Sequence, residues 1–368
     1  MNQKMKIRMI IIVFIFIIAL VFFLLKGNLF NRKKTILQSS ENITIVPTMN
    51  DEIMADSSWC ATFQLVWNDM KNEVVKQDII FSPQEKMAEN LNKEEFTEDM
   101  ISDEYYFKMY GLKTLELKKQ IEDGIMKKFH QKSEILDDFD WSESELNDPN
   151  NSSVDRYFFY SMLYREFHFL QKFDKLENGK FGDSYEDIEY FGIDRNSDSK
   201  LDNQIEVLYY HSVDDFAVIV NTKENDEVIF CKNPKGDHFN EIYHNMILKS
   251  ESYHGDTSFD EKDEFKAPCL TFKIKREFNE LEEKVFETEN GVGSIAKAIQ
   301  FIEFSLDEVG GKIKSEAGID MMETTSLKPV EMEPRYFYVD DTFAIFIREK
   351  GKDVPYFAAR IEDITKFQ

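Results

Sequence analysis

The sequence predicts an α+β fold, with helices early and mainly antiparallel sheets late, behind one N-terminal transmembrane helix. Three patterns carry that expectation: an uncharged run at residues 9–25, apolar residues at three- and four-residue spacing up to about residue 129, and β-branched or aromatic runs beyond Val154.

The run at residues 9–25 reads MIIIVFIFIIALVFFLL. As a helix rising about 1.5 Å per residue it nearly covers the ~30 Å hydrocarbon core of a bilayer. Lys4, Lys6 and Arg8 precede it, and Lys26, Arg32, Lys33 and Lys34 follow it. Neither an A-x-A site nor a lipid-accepting Cys stands just beyond it, so it reads as an uncleaved signal anchor. With the large domain on its C-terminal side, the expected placement is a single-pass cell-membrane protein, N-terminus cytoplasmic and C-terminal domain extracytoplasmic. The first 34 residues hold seven basic and no acidic side chains, and the rest hold 38 basic against 70 acidic, within a whole-chain net charge of -25. The basic end suits anionic headgroups, the acidic body stays off the membrane, and that same charge excludes nucleic acid as a partner.

Residues 35–57 carry little hydrophobic periodicity and several Ser, Asn and Asp, as a stalk would. The folded domain is then expected over 58–368, where 33 Phe and a 42% hydrophobic fraction across the chain can fill a large core. Ser57 or Ser58 can cap a first helix running to about Val74, on which Trp59, Phe63, Trp67, Met70 and Val74 share one face. Ile79, Ile80 and Phe81 predict a short strand stopped by Ser82-Pro83. Leu117, Ile121, Ile125 and Phe129 predict a second helix over about 112–129, followed by an acidic loop at 137–151.

Strands are expected at 206–211, 216–220 and 227–231, the last two joined by a turn at Asn225-Asp226. Leu270, Phe272 and Ile274 alternate with Thr271, Lys273 and Lys275, the mark of a strand with one wet face. Phe304 and Leu306 lead to a Gly-Gly pair, and strands at 336–339, 343–347 and 356–361 finish the chain.

Tests for catalytic and metal chemistry find little. Cys60, Cys231 and Cys269 form no CxxC and read as buried thiols, with one pair able to bridge in an oxidising compartment. His130, His168, His211, His238, His244 and His254 form no metal motif. Gly291-Val292-Gly293-Ser294 lacks the lysine and the preceding strand of a phosphate loop and reads as a turn. Asp194, Asn196 and Asp198, with Asp202, fall at positions 1, 3, 5 and 9 of a calcium loop. Ser199 replaces its turn glycine and Glu206 arrives one residue late, so a polar surface turn is the expectation and no metal or cofactor is assigned. No nucleophile–base set emerges, and the protein is not expected to be an enzyme.

In order, the elements resemble those of a serpin. Asp78-Ile79-Ile80-Phe81-Ser82-Pro83 after the first helix is similar to the family's N-I-x-F-S-P. Ser161-Met162-Leu163-Tyr164, with Phe173 beyond, resembles N-A-x-Y-F and the downstream W-x-x-P-F. Residues 204–220 resemble V-L-E-L-P-Y and the strand after it, and residues 265–274 resemble V-x-L-P-K-F-K-I. Residues 339–348 and 356–361 resemble F-x-V-D-x-P-F-x-F-x-I-R and F-x-G-R-V. The shared order spans roughly 300 residues. Only 77 residues separate Pro83 from Ser161, an abridgement relative to the family; Ser161 stands where the family has Asn and Phe169 where it has Trp.

The resemblance implies a hinge at residues 307–317 and a reactive loop at 309–334, which in the family traps proteases by inserting as a strand after cleavage. Glu308 and Gly310 keep the hinge pattern, while Lys312, Ile313, Lys314 and Glu316 replace its small residues. As a strand, the segment sends Gly311, Ile313, Ser315, Ala317 and Ile319 to one face and Lys312, Lys314, Glu316 and Asp320 to the other. That alternation fits insertion and equally fits a strand already in a sheet, the reading the sequence favours. The expected function is therefore a membrane-anchored serpin-like binding or structural module with a protein partner. The alternative is a serpin-type inhibitor cut near Thr324-Thr325 by its target protease.

Overall fold

The computed structural model describes residues 42–142, 155–289, 291–313 and 333–368. The expected membrane span at 9–25 lies outside them; among the described residues no helix is long and apolar enough to cross a membrane.

The largest sheet has seven strands, in the order β1 (Thr44–Ile45), β2 (Ser57–Cys60), β21 (Phe357–Ile361), β20 (Phe343–Glu349), β12 (Asp226–Lys232), β11 (Asp215–Asn221) and β10 (Ile205–Ser212). All its neighbours are antiparallel except β1 and β2. Its centre is covered on both faces: every residue of β12 is buried and β20 exposes only Arg348 in part, so these strands read as apolar runs without alternation. A second sheet orders β19 (Tyr336–Tyr338), β13 (Glu264–Pro268), β9 (Tyr190–Ile193) and β6 (Asp174–Lys175). A third orders β14 (Leu270–Glu277), β17 (Ile299–Leu306), β18 (Gly310–Ile313) and β5 (Arg165–His168).

Two hairpins pair β7 (Gly179–Phe181) with β8 (Tyr185–Ile188) and β15 (Val285–Thr288) with β16 (Gly291–Ser294), and β3 (Tyr106–Leu112) pairs antiparallel with the distant β4 (Tyr157–Leu163). Since β4 runs into β5 with only Tyr164 between them, the third sheet and the β3–β4 pair share one continuous edge. The strands expected around 206–231, at 270–275 and at 336–361 all form. Asn225 takes the left-handed turn conformation at φ 70°, and β14 alternates buried and exposed residues along its first six positions.

Among the helices, α1 (Thr62–Asp69) passes into a π-helical stretch, Met70–Val75, closed by Lys76 in the left-handed region. It is followed by α2 (Lys86–Asn92), α3 (Leu115–Phe129) and α4 (Phe239–Ser252). The expected stripe Leu117, Ile121, Ile125 and Phe129 is buried along α3. The Thr114 hydroxyl caps its start by accepting from the Leu117 N–H, and His130 ends it at φ 54°.

Four expectations are corrected. The first helix starts at Thr62: Ser57–Cys60 is strand, paired with Phe357–Arg360 and buried throughout, and the caps assigned to Ser57 or Ser58 do not exist. Trp59 lies four residues before Phe63 and so continues the helical phase by coincidence. The stalk boundary also moves back, because Ile43, Ile45 and Val46 are in the core and β1 pairs with β2. Gly291–Ser294 is an edge strand rather than a turn.

Finally, Ile79, Ile80 and Phe81 alternate in, out and in as a strand would, at 0%, 63% and 2% exposure, yet have no ladder partner. The Asn92 side chain substitutes for one. Its Oδ1 accepts from the Ile79 N–H and from Trp67 Nε1, and its Nδ2 donates to the Ile79 carbonyl. Asn92→Ala leaves all three groups without that partner, and we expect a loss of about 3 kcal/mol in chemical denaturation. Asn72→Ala, which loses only an exposed bond to Glu94, should change stability by less than about 0.5 kcal/mol.

Candidate functional site

The third sheet is incompletely zipped. β17 pairs with β14 along its whole length, from Leu306 on Leu270 to Ile299 on Glu277. On its other edge, among the described residues, only Ser305 and Leu306 are paired, with Lys312 and Gly311 of β18. β4 likewise pairs fully with β3, and no strand among the described residues takes its opposite edge. Below the end of β18 the two edges line a cavity of about 1430 Å³, floored by α1 and the π-helical stretch. Among the described residues it is a slot one strand wide.

The top of the slot is built around the predicted hinge. β18 lies antiparallel between β17 and β5, with Gly310, Gly311, Lys312 and Ile313 opposite His168, Phe167, Glu166 and Arg165. The preceding turn is closed by Asp307, whose N–H donates to the Gly310 carbonyl (2.9 Å) and whose Oδ1 accepts from the Val309 and Gly310 N–H groups. Phe169 and Phe173 donate their N–H groups to the Val309 and Glu308 carbonyls. The Glu308 carboxylate is buried and faces Lys172 and Lys175, each at 3.4 Å. Burial works against its charge, but its own backbone N–H and the two lysines outweigh that and hold its pKa below the usual range.

Gly311 and Ile313 are buried and Lys312 is half-buried, with its ammonium 5.9 Å from the Tyr164 ring centre. Of the predicted loop residues, Ser315, Ala317, Thr324 and Thr325 lie outside the described residues. Phe169, 1% exposed, packs edge-on against Phe173 with ring centres 4.9 Å apart.

Beside the hinge sits a group that sequence reasoning missed. Arg165 and Asp226 are both buried, with Nε to Oδ2 at 2.7 Å and Nη2 to Oδ2 at 2.6 Å. The guanidinium also donates to the Tyr105 hydroxyl and the Glu224 carbonyl and lies 3.7 Å from the Tyr105 ring centre, while the Tyr356 hydroxyl donates to Asp226 Oδ1. Burial opposes the Arg165 charge, and Asp226 overrides it and holds the guanidinium protonated. The Glu224 carboxylate accepts from the His168 backbone N–H (2.6 Å) and meets His168 Nδ1 at 2.8 Å. The only signal in the sequence is a basic residue inside the aromatic run 157–169.

Elsewhere the calcium-like loop folds onto itself. Asp194 Oδ1 accepts from the Asn196 N–H, and Asp198 Oδ1 accepts from the Lys200 N–H and caps a 3-10 helix, Ser199–Gln204. Among the described residues no group of three or more His, Cys, Asp and Glu is arranged for a metal. The cysteines are free, and burial pushes the Cys60 and Cys231 thiols up to about 11 and Cys269 to about 12, so none is an activated nucleophile.

No family model and no curated protein matches the chain. Among solved structures it is similar to Serpin48 of the insect Tenebrio molitor, at 13% identity over 84% of this chain and 92% of that one (TM-score 0.45). It is also similar to human thyroxine-binding globulin, at 11% identity over 67% and 64% (TM-score 0.39), and to a cleaved Serpin 42Da, at 11% over 66% and 64% (TM-score 0.41). Of the residues that resemble the hinge, Gly310–Ile313 form a strand, β18.

Two expectations follow from these sites. A Cβ at Gly310 would collide with the Phe167 carbonyl oxygen, so Gly310→Ala should destabilise the protein by about 1–3 kcal/mol and speed amide exchange in β18. Burial, then Asp260, Asp263, Glu261 and Asp198, raises the Asp202 pKa to about 6. A carboxyl raised above its unfolded value of 3.8 gives stability that is full below that value and lost as pH climbs through about 6. Asp202→Asn should therefore raise the melting temperature at pH 8 and leave it nearly unchanged at pH 4.

Proposed function

We propose that this is a non-enzymatic, serpin-like protein held at the cell membrane by residues 9–25, with its folded domain extracytoplasmic, and that it inhibits a protease by taking a strand of its own into the slot. The carrying observation is the pair of strand edges on β4 and β17 directly below β18, which no strand among the described residues takes. Unpaired N–H and C=O groups inside a sheet are unfavourable, and one added strand satisfies both edges at once. The chain leaving β18 at Ile313 has the alternation that such a strand needs, with Ser315, Ala317 and Ile319 on one face and Lys314, Glu316 and Asp320 on the other. The sequence alone favours a static module because the same alternation suits a strand already settled; the unfilled slot favours the inhibitor.

The test is a panel of proteases incubated with the full chain, read by denaturing gel and by melting temperature after cleavage of the segment 309–334. The expected results are gel-stable complexes, cleavage near Thr324-Thr325 and a large rise in melting temperature. Clean cleavage with neither complexes nor a rise would return the protein to the static binding module.

A further inference from the structure

The side of the cavity that faces α1 forms a compartment whose chemistry is distinct from that of the strand edges. Gln300 on β17 is 3% exposed and lines the cavity. Its Nε2 donates to the Cys60 carbonyl (2.9 Å) and to Thr62 Oγ1 (3.1 Å). A carbonyl can only accept, so this bond fixes the orientation of the amide and leaves Oε1 as the other end. Oε1 is buried and has no partner, and neither has Ser161 Oγ, which lines the same cavity from β4. Around them the walls are apolar and aromatic: Phe63, Val66, Trp67 and Met70 along the floor and Phe159 on β4.

A strand entering the slot does not meet this need. It pairs with β17 through backbone groups, and continuing the register of Lys312 on Ser305 would set Ala317 across from Gln300. Alanine carries no hydrogen-bonding side chain. A buried acceptor without a donor is unfavourable, so this compartment has an acceptor in place for a donor that the described residues do not supply.

We propose that the compartment binds a small aromatic molecule carrying a hydroxyl, with the hydroxyl donating to Gln300 Oε1 and the rings lying among Phe63, Trp67, Met70 and Phe159. Aromatic and methionine side chains suit flat rings, and a fixed acceptor set among them selects both the class of ligand and its orientation. The site does not depend on insertion of the reactive segment.

The experiment is calorimetric titration of the full chain in lipid nanodiscs, with empty nanodiscs as the reference, using 1-naphthol and 1-methoxynaphthalene as probes. The two share a ring system, and only the first can donate. We expect 1-naphthol to bind about tenfold more tightly, the worth of one hydrogen bond to a buried acceptor. Gln300→Leu should reduce that preference to about one while 1-methoxynaphthalene keeps its affinity. Val66→Trp, which fills the compartment and leaves Gln300 in place, should weaken both probes at least tenfold. No binding of either probe, equal binding by the unaltered protein, or binding unaffected by Val66→Trp would each overturn the proposal.

Discussion

The buried Arg165–Asp226 pair is the contact on which the arrangement of the sheets turns. Arg165 belongs to β5, the strand that receives the hinge, while Asp226 begins β12 in the seven-stranded sheet and Tyr356 stands just before β21. A buried guanidinium is tolerated only where its donors are met, and here a carboxylate and a backbone carbonyl from the β11–β12 turn and a tyrosine hydroxyl from a distant part of the chain meet them. Such a pair adds little net stability compared with an apolar core, but it permits few alternative alignments of β5 against the β11–β12 turn. Because Ile313 lies opposite Arg165, the alignment of β5 sets where the slot begins.

From that fixed point the sheet divides into a finished half and an unfinished one. Above Ile313 the ladder is complete, and close backbone approach excludes a side chain at Gly310. Below it the two facing strands are each supported from behind, β17 by β14 and β4 by β3, so the slot has firm walls although no described strand crosses it. Among the described residues β3 is the one strand behind β4, and α3 packs its buried stripe on one face of that strand pair through Phe158 and Tyr160.

Much of this was legible in the residues, and the exceptions have physical causes. The stripe on α3 and the alternation on β14 were readable because each element is wet on one side, which imposes a period. Ser57–Cys60 was unreadable because a strand buried on both faces has no period, and the spacing of Trp59 to Phe63 extended the helix that follows. Ile79 to Phe81 showed a strand's alternation, but its hydrogen-bond partner is an amide side chain, which no pattern announces. Glu308, Gly310, Gly311 and Ile313 could be singled out in the sequence because a hinge pattern is local. Arg165 was missed because its partners lie about sixty residues away in both directions, and Gln300 because the orphaned end of an amide exists only in three dimensions.

The closed turn from Asp307 to Gly310 has a kinetic consequence. Forming a new strand within a sheet is slow chiefly at its first contacts, when chain ends must meet and a register must be chosen before any pairing compensates. Here those contacts already exist, and the register is set by Gly311 on Leu306. A strand growing from Ile313 would add neighbours one at a time, each next to a residue already in place, so its entry would be a propagation without a nucleation step, and the proposed insertion would be triggered away from the hinge.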